Sequence, residues 1–178
     1  MIEIGEYSYG ANGVDLQFEF RGRMGEGTYR VGKFCAFGSG IQVLLKAGHI
    51  LHGVSTFPFY SRLGIGPKDN TADATGGDVI VGNDVWVGNR VMLVGPVEIG
   101  DGAIIGAGSV VRGYVPPYGI SVGNPAVVLR RRFDQSIIDK MLAIQWWDWD
   151  IETIKSRYED LNFMPPQQFV DKYYKEEA

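Results

Sequence analysis

Cut into sixes, residues 81–116 read VGNDVW VGNRVM LVGPVE IGDGAI IGAGSV VRGYVP. The first position is Val81, Val87, Leu93, Ile99, Ile105 and Val111, a branched aliphatic every time, and glycine follows it at Gly82, Gly88, Gly100 and Gly106. The fifth is mostly small or valine: Val85, Val91, Ala103 and Ser109. An amphipathic helix repeats near 3.6 residues and a strand at about 2, so an unbroken period of six fits neither. Repeats of this length build short strands joined by corners and stacked into a triangular parallel β-helix. Each aliphatic points inward onto its equivalent one coil along, and the adjacent glycine lets the backbone turn without a Cβ clash.

Working outward, a shorter run keeps the spacing at Val31, Phe37 and Val43, with Gly32 and Gly38 behind the first two, and Ile4-Gly5 opens another coil. Between Val43 and Val81 the period fails, and that stretch holds both histidines and the motif STFPF. A loop projecting over about residues 44–78 is expected there, the kind of insertion in which solenoids place binding residues. After Pro125 the composition turns helical. Asp134 is expected to cap a helix carrying Ile137, Ile138, Met141, Leu142 and Ile144. Asp150 is expected to cap a second through Ile151, Ile154 and Tyr158, and Pro165-Pro166 to open a third. The expected organisation is a mainly β protein, with a β-helix over 1–130 and a helical appendage over 131–178.

The bulk properties agree with one soluble domain. The chain has 178 residues, 45% hydrophobic and 21% charged, and the repeats account for the unusual number of glycines, 25 in all. A net charge of −4 gives nucleic-acid binding no electrostatic support. The single cysteine, Cys35, excludes an internal disulfide framework and fits a reducing compartment. No basic-then-apolar leader opens the sequence, and no apolar run reaches the roughly 18 residues of a membrane helix. The expectation is a cytoplasmic protein with no nucleic-acid or membrane partner.

Several motifs together narrow the assignment: EYSYG at 6–10, VGKFCAFGSG at 31–40, GHILHGVSTFPF at 48–59, VGNDVWVG at 81–88, IGDGAIIGAGSVV at 99–111, GNPA at 123–126, and RRFDQSII leading into WWDWDIETI. They resemble the xenobiotic acetyltransferases of the hexapeptide-repeat superfamily, the group containing streptogramin A and chloramphenicol acetyltransferases. The repeats mark the superfamily, while STFPF and WWDWD narrow it to this group. The resemblance implies a left-handed β-helix and a homotrimer with active sites in clefts between subunits. It also implies transfer of acetyl from acetyl-CoA to a hydroxyl of an antibiotic-like small molecule, with no metal required.

Acetyl transfer from a thioester needs a base for the acceptor proton and donors for the oxyanion. Only His49 and His52 are available as histidines, and His49 takes the position of the family's catalytic base, seven residues before Thr56 of STFPF. His52 stands where the family usually has aspartate, Gly48 where it has asparagine and Gly53 where tryptophan is frequent, so the acceptor pocket departs from the pattern. For the cofactor, the resemblance to galactoside-type relatives lends Asn89 and Ala107 to the pantetheine arm and Arg112 and Arg130 to the phosphates. Arg131 and Arg132 flank the last of these; a solvated face leading into the helix is the alternative for this cluster. Val127 stands where the family often has lysine or arginine. Trp86 resembles a tryptophan beside the cofactor channel, and subunit packing serves it equally well. Tyr9 matches a tyrosine that positions the acceptor. Cys35, in a coil-starting motif, reads as a small buried residue rather than an acyl carrier.

Two rivals remain. An acetyltransferase of sugar or cell-envelope intermediates would share the chemistry with another pocket. A metal-dependent β-helix such as a carbonic anhydrase needs three histidines on zinc, and this chain has two.

Overall fold

The computed structural model describes residues 1–11, 27–45, 53–66 and 77–175. Its strands are β1 (Ile2–Ile4), β2 (Tyr29–Val31), β3 (Ala36–Phe37), β4 (Gln42–Leu44), β5 (Val79–Val81), β6 (Trp86–Val87), β7 (Met92–Ile99), β8 (Ile104–Ile105), β9 (Val110–Val115), β10 (Gly119–Gly123) and β11 (Ala126–Arg131). One sheet runs β1-β2-β5-β7-β4 with β9 also on β7, and the other runs β11-β10-β8-β6-β3. Their pairings are parallel except for the terminal hairpin β10–β11. This is a parallel β-helix, and it fits the left-handed form that the motifs imply.

Repeat stacks on repeat. Ile4, Val31, Val81, Ile99 and Val115 form one inward column, and Phe37, Val87, Ile105 and Ser121 a second. Val43, Leu93 and Val111 form the third. Val81, Val87, Leu93, Ile99 and Ile105 are each no more than 2% exposed, and burying such a side chain is worth about 1.5–3 kcal/mol. The interior of the coil is therefore filled by its own side chains. One repeat departs from the expected corners: LVGPVE runs straight through β7, and its register onto β9 shifts between Leu93 and Val97, which shortens the last coil.

One edge of the solenoid has an unusual backbone. Tyr7, Phe34, Asp84, Gly102 and Tyr118 stack there with φ of 62°, 58°, 53°, 67° and 55°, left-handed values that only the glycine adopts without strain. Hydrogen bonds between coils hold them. The N–H groups of Phe34, Asp84, Gly102 and Tyr118 donate to the carbonyls of Glu6, Lys33, Asn83 and Asp101 at 2.8–3.1 Å. At Gly102 a side chain has no room, because a Cβ would strike the Tyr118 ring.

The chain leaves the second coil after Leu45 and returns at Gly77, whose N–H donates to the Leu45 carbonyl. Within the insertion, the short α1 (Phe59–Leu63), which the sequence pattern had not marked, buries none of its residues. The C-terminal segment forms α2 (Gln135–Ile144), a 3₁₀ turn (Trp146–Asp148), α3 (Ile151–Ser156), α4 (Tyr158–Phe163) and α5 (Pro166–Tyr173). Asp150 caps α3 by accepting the Thr153 N–H at 2.9 Å, whereas Asp134 takes the cap position of α2 without a side-chain bond. The helix expected to continue through Tyr158 breaks at Arg157. Its N–H is shared by the Thr153 and Ile154 carbonyls, and its guanidinium is held 4.7 Å from both the Trp149 and Tyr173 rings.

These helices share a cluster of Ile138, Met141, Phe169 and Val170 with Tyr118 of the last coil. The segment then lies along the left-handed edge, back toward the first coils. Phe133 packs on Tyr118 with centroids 5.5 Å apart. Arg132 donates to the Gly102 carbonyl at 2.7 Å and stands 3.6 Å from the Asp84 carboxylate. Farther along, Trp146 meets Phe34 at 4.9 Å, Phe34 stacks on Tyr7, and Lys33 pairs with Asp148 at 2.9 Å.

Candidate functional site

The stacked repeats IGEYSY, VGKFCA, VGNDVW, IGDGAI and VPPYGI align their sixth residues: Tyr9, Ala36, Trp86, Ile104 and Ile120. Pairing across the five-stranded sheet joins them in that order, and Arg130 of β11 pairs with Ile120 at the end. The next residue in four of these repeats (Phe37, Val87, Ile105, Ser121) is buried, so strand alternation turns the sixth residue outward. Tyr9 is 69% exposed and Trp86 56%. Three of the residues expected at the site, Tyr9, Trp86 and Arg130, thus share one face. At about 4.8 Å per strand, five spacings make the row roughly 24 Å long.

Asn89 and Ala107 occupy equivalent corners of adjacent coils, with the Gly108 N–H donating to the Asn89 carbonyl at 2.8 Å. Asn89 also has a structural duty the sequence reading missed: its Oδ1 accepts the Ser39 N–H at 2.9 Å. Asn83 does the same for Lys33 at 2.8 Å, and Asp101 for Asn83 at 2.7 Å. Asn or Asp at the third position of a repeat was the available signal, since its side chain can stand in for a corner carbonyl.

The arginines separate. Arg112 is on β9 of the six-stranded sheet and Arg130 on β11 of the other, so the two do not share the row. Arg132, expected beside the phosphate contact, is committed to the Gly102 carbonyl, to Asp84 and to the Tyr118 and Phe133 rings. Arg131 donates to Gln135. Near this end of the row an open groove of about 560 Å³ runs between Arg131, Phe133, Ile137 and Pro165.

His49, His52 and Gly48 lie outside the described residues. Gly53 and the STFPF residues Ser55, Thr56 and Phe57 are described and exposed. Cys35 is fully buried and its thiol, pushed up to about 11 by burial, donates to the Gly82 carbonyl at 3.1 Å. Such a thiol is a poor nucleophile. Burial also pushes the Asp84 carboxyl up to about 6, against the attraction of Arg132. Among the described residues no group of three His, Cys, Asp or Glu could hold a metal ion, and no helix is long and apolar enough to cross a membrane.

Comparison with known proteins agrees with this architecture. Residues 78–113 match the family described as bacterial transferase hexapeptide, six repeats. A probable macrolide acetyltransferase of Lysinibacillus sphaericus is 38% identical over 83% of this chain and 85% of its own length. A chloramphenicol acetyltransferase of Agrobacterium fabrum is 34% identical over 71% of this chain, and the match spans 62% of that enzyme. Among solved structures, a hexapeptide-repeat acetyltransferase of Vibrio cholerae shares the fold, with a TM-score of 0.50 and 22% identity over 75% of this chain and 64% of that one. With a relative matched at this identity over most of its length, and the repeats stacked as their sequence requires, the chain belongs to the hexapeptide-repeat xenobiotic acetyltransferases.

Proposed function

We propose that the protein is an acetyl-CoA-dependent O-acetyltransferase acting on a hydroxyl of an antibiotic-like small molecule. The outward row carries this reading: a cation at Arg130, aliphatic Ile120 and Ile104, then the exposed rings of Trp86 and Tyr9. That order suits a molecule with phosphates at one end, a long uncharged arm and a reactive thioester at the other. Arg130 would meet the phosphates, since guanidinium pairs well with them. Trp86, with Asn89 and Ala107 at the neighbouring corner, would flank the arm, and Tyr9 would orient the acceptor. Arg112, on the other sheet, would reach the nucleotide only from beside the row.

His49 is the proposed general base. The acceptor oxygen attacks the thioester carbonyl as its proton passes to the imidazole. The C–S bond then breaks, and the proton goes to the departing coenzyme A thiolate. A histidine suits both transfers because its ordinary pKa lies near 6.5. No step requires a metal. Because the coil interior is filled, acetyl-CoA must lie outside it, so we assign a homotrimer with the row facing a neighbouring subunit. Residues 1–130 then form the catalytic β-helix with its loop over 44–78, residues 131–178 the helical appendage, and the cytoplasm is the compartment that suits the unpaired Cys35.

The acceptor is the open variable, and the departures at Gly48, His52 and Gly53 favour a sugar or cell-envelope hydroxyl as the second reading. The test is acetyl-CoA turnover with chloramphenicol, a streptogramin A, a macrolide and a galactoside, on wild type and His49→Ala. The variant should lose about 10²–10⁴-fold in the chemical step and still bind coenzyme A. Undiminished turnover in a folded variant would remove His49 from this role, and no turnover of any acceptor by wild type would refute the transferase assignment.

A further inference from the structure

The C-terminal WWDWD motif reaches back to the coils that carry Tyr9. Tyr9 belongs to the first coil, which among the described residues pairs only with the second. Backbone and side chain lace the two together at one corner. The Phe34 N–H donates to the Glu6 carbonyl at 3.1 Å and the Tyr9 N–H to the Cys35 carbonyl at 3.0 Å. Between them the Cys35 N–H donates to Ser8 Oγ at 2.9 Å. The corner is strained, since Tyr7 and Phe34 both hold left-handed backbones that disfavour a bulky side chain. Rings support it. Tyr7 stacks on Phe34 with centroids 4.9 Å and planes 19° apart, and Trp146 leans on Phe34 at 4.9 Å and 51°, separations at which aromatic pairs attract. Trp146 is itself held from behind. It opens the 3₁₀ turn Trp146–Asp148 and stands edge-on to the buried Trp147 at 6.1 Å. Asp148 of the same turn pairs with Lys33, the neighbour of Phe34, at 2.9 Å.

We propose that Trp146 is a positioning residue for the hydroxyl acceptor: through Phe34 and Tyr7 it fixes the corner from which Tyr9 projects. The proposal deepens the acetyl-transfer function above and rests on it, including the place given there to Tyr9. Trp146 stands on the left-handed edge, whereas Tyr9 turns outward on the row, so its influence passes through the chain between them. Without the indole, Phe34 loses its support, and the laced hydrogen bonds carry that loss to Ser8 and Tyr9. Arg130, at the far end of the row, takes no part in the corner. An indole that served the fold alone would lower stability without acting through Tyr9.

The experiment uses the full chain with Trp146→Ala, Trp146→Phe, Tyr7→Asn and Tyr9→Ala, and the double variant of Trp146→Ala with Tyr9→Ala. Steady-state kinetics and calorimetry are measured with chloramphenicol, a streptogramin A, a macrolide and 4-nitrophenyl galactoside. Trp146→Ala should raise the acceptor KM about tenfold, as small misplacements do, and leave the KM for acetyl-CoA within about twofold. Trp146→Phe keeps a ring against Phe34 and should recover most of the loss. Tyr7→Asn breaks the stack at its other end with a residue that tolerates the left-handed backbone. It should reproduce Trp146→Ala, and it replaces that variant in the cycle should the alanine misfold. Residues that act through one another are not additive, so in the Tyr9→Ala background Trp146→Ala should cost less than about twofold. An unchanged acceptor KM in the folded variant would overturn the proposal, as would a full loss that persists without Tyr9. A parallel rise in the KM for acetyl-CoA, or no recovery with phenylalanine, would overturn it too. Acceptor bound by wild type but not turned over would refute the transferase reading, and the same cycle in calorimetric affinities then decides the positioning role. No acceptor bound by wild type would overturn both.

Discussion

Replacing Asp84 by asparagine should stabilise the protein at neutral pH. Asp84 sits on the left-handed edge between the second and fourth coils, its side chain 31% exposed, with Arg132 at 3.6 Å. Burial raises its pKa from 3.8 to about 6, and the Asp101 charge adds to the rise, while the Arg132 charge and hydrogen bond pull the other way. Tyr118 stands in the same cluster. Between about pH 4 and 6 the folded chain thus keeps a proton that the unfolded chain releases. Stability from this group is present below the unfolded pKa and falls as pH rises through the folded one. At about 1.4 kcal/mol per pH unit, the gap between 3.8 and about 6 corresponds to roughly 3 kcal/mol by pH 7. Asparagine removes the charge and tolerates the left-handed backbone of this position better than most residues. At pH 7 the variant should gain about 2–3 kcal/mol, or roughly 5–10 °C in unfolding midpoint. At pH 4 the two proteins should converge. Urea and thermal unfolding at fixed protein concentration across pH 4–8 read the difference. If wild type and variant show the same slope with pH, or the variant is the weaker at pH 7, Arg132 outweighs burial and the account is wrong.

Neutralising Arg130 should weaken coenzyme A more than phosphate-free pantetheine, by several-fold and less at high salt, because exposed phosphate contacts are screened within about 8–10 Å. Arg112→Gln should give a smaller difference, since that residue stands off the row; equal losses for both ligands would withdraw the phosphate role. Light scattering should find a trimer, and a monomer that turns over acetyl-CoA would contradict placing the cofactor between subunits.

The coil and its core were legible because a period of six has few physical solutions, and Val31, Val81 and Ile99 pair as the repeats align them. The row was legible in principle: Tyr9, Ala36, Trp86 and Ile104 are sixth residues of stacked repeats, but seeing this requires knowing which repeats lie on the same side. The insertion hides that, since it places Val43 and Val81 of consecutive sides far apart in sequence. The commitment of Arg132 was not legible, because nothing local to RRRF reveals Asp84 or the Gly102 carbonyl, which come from coils 30 or more residues earlier. The break at Arg157 was equally invisible, being set by rings on Trp149 and Tyr173 rather than by the helical pattern around it.

The C-terminal segment changes how the solenoid comes apart. Stacked repeats touch only their neighbours, so a bare β-helix can fray one coil at a time from either end. Here a single stretch grips Tyr118 at the last coil, Gly102 and Asp84 in the middle and Phe34 near the first. Lys33 and Asp148 are joined across 115 residues of sequence. Opening a terminal coil then means detaching a segment whose own cluster also depends on Tyr118, so loss of one end is felt at the other. A one-dimensional stack with independent ends becomes a unit that opens in a single concerted step, and amide protection in the first coil should track that of the last.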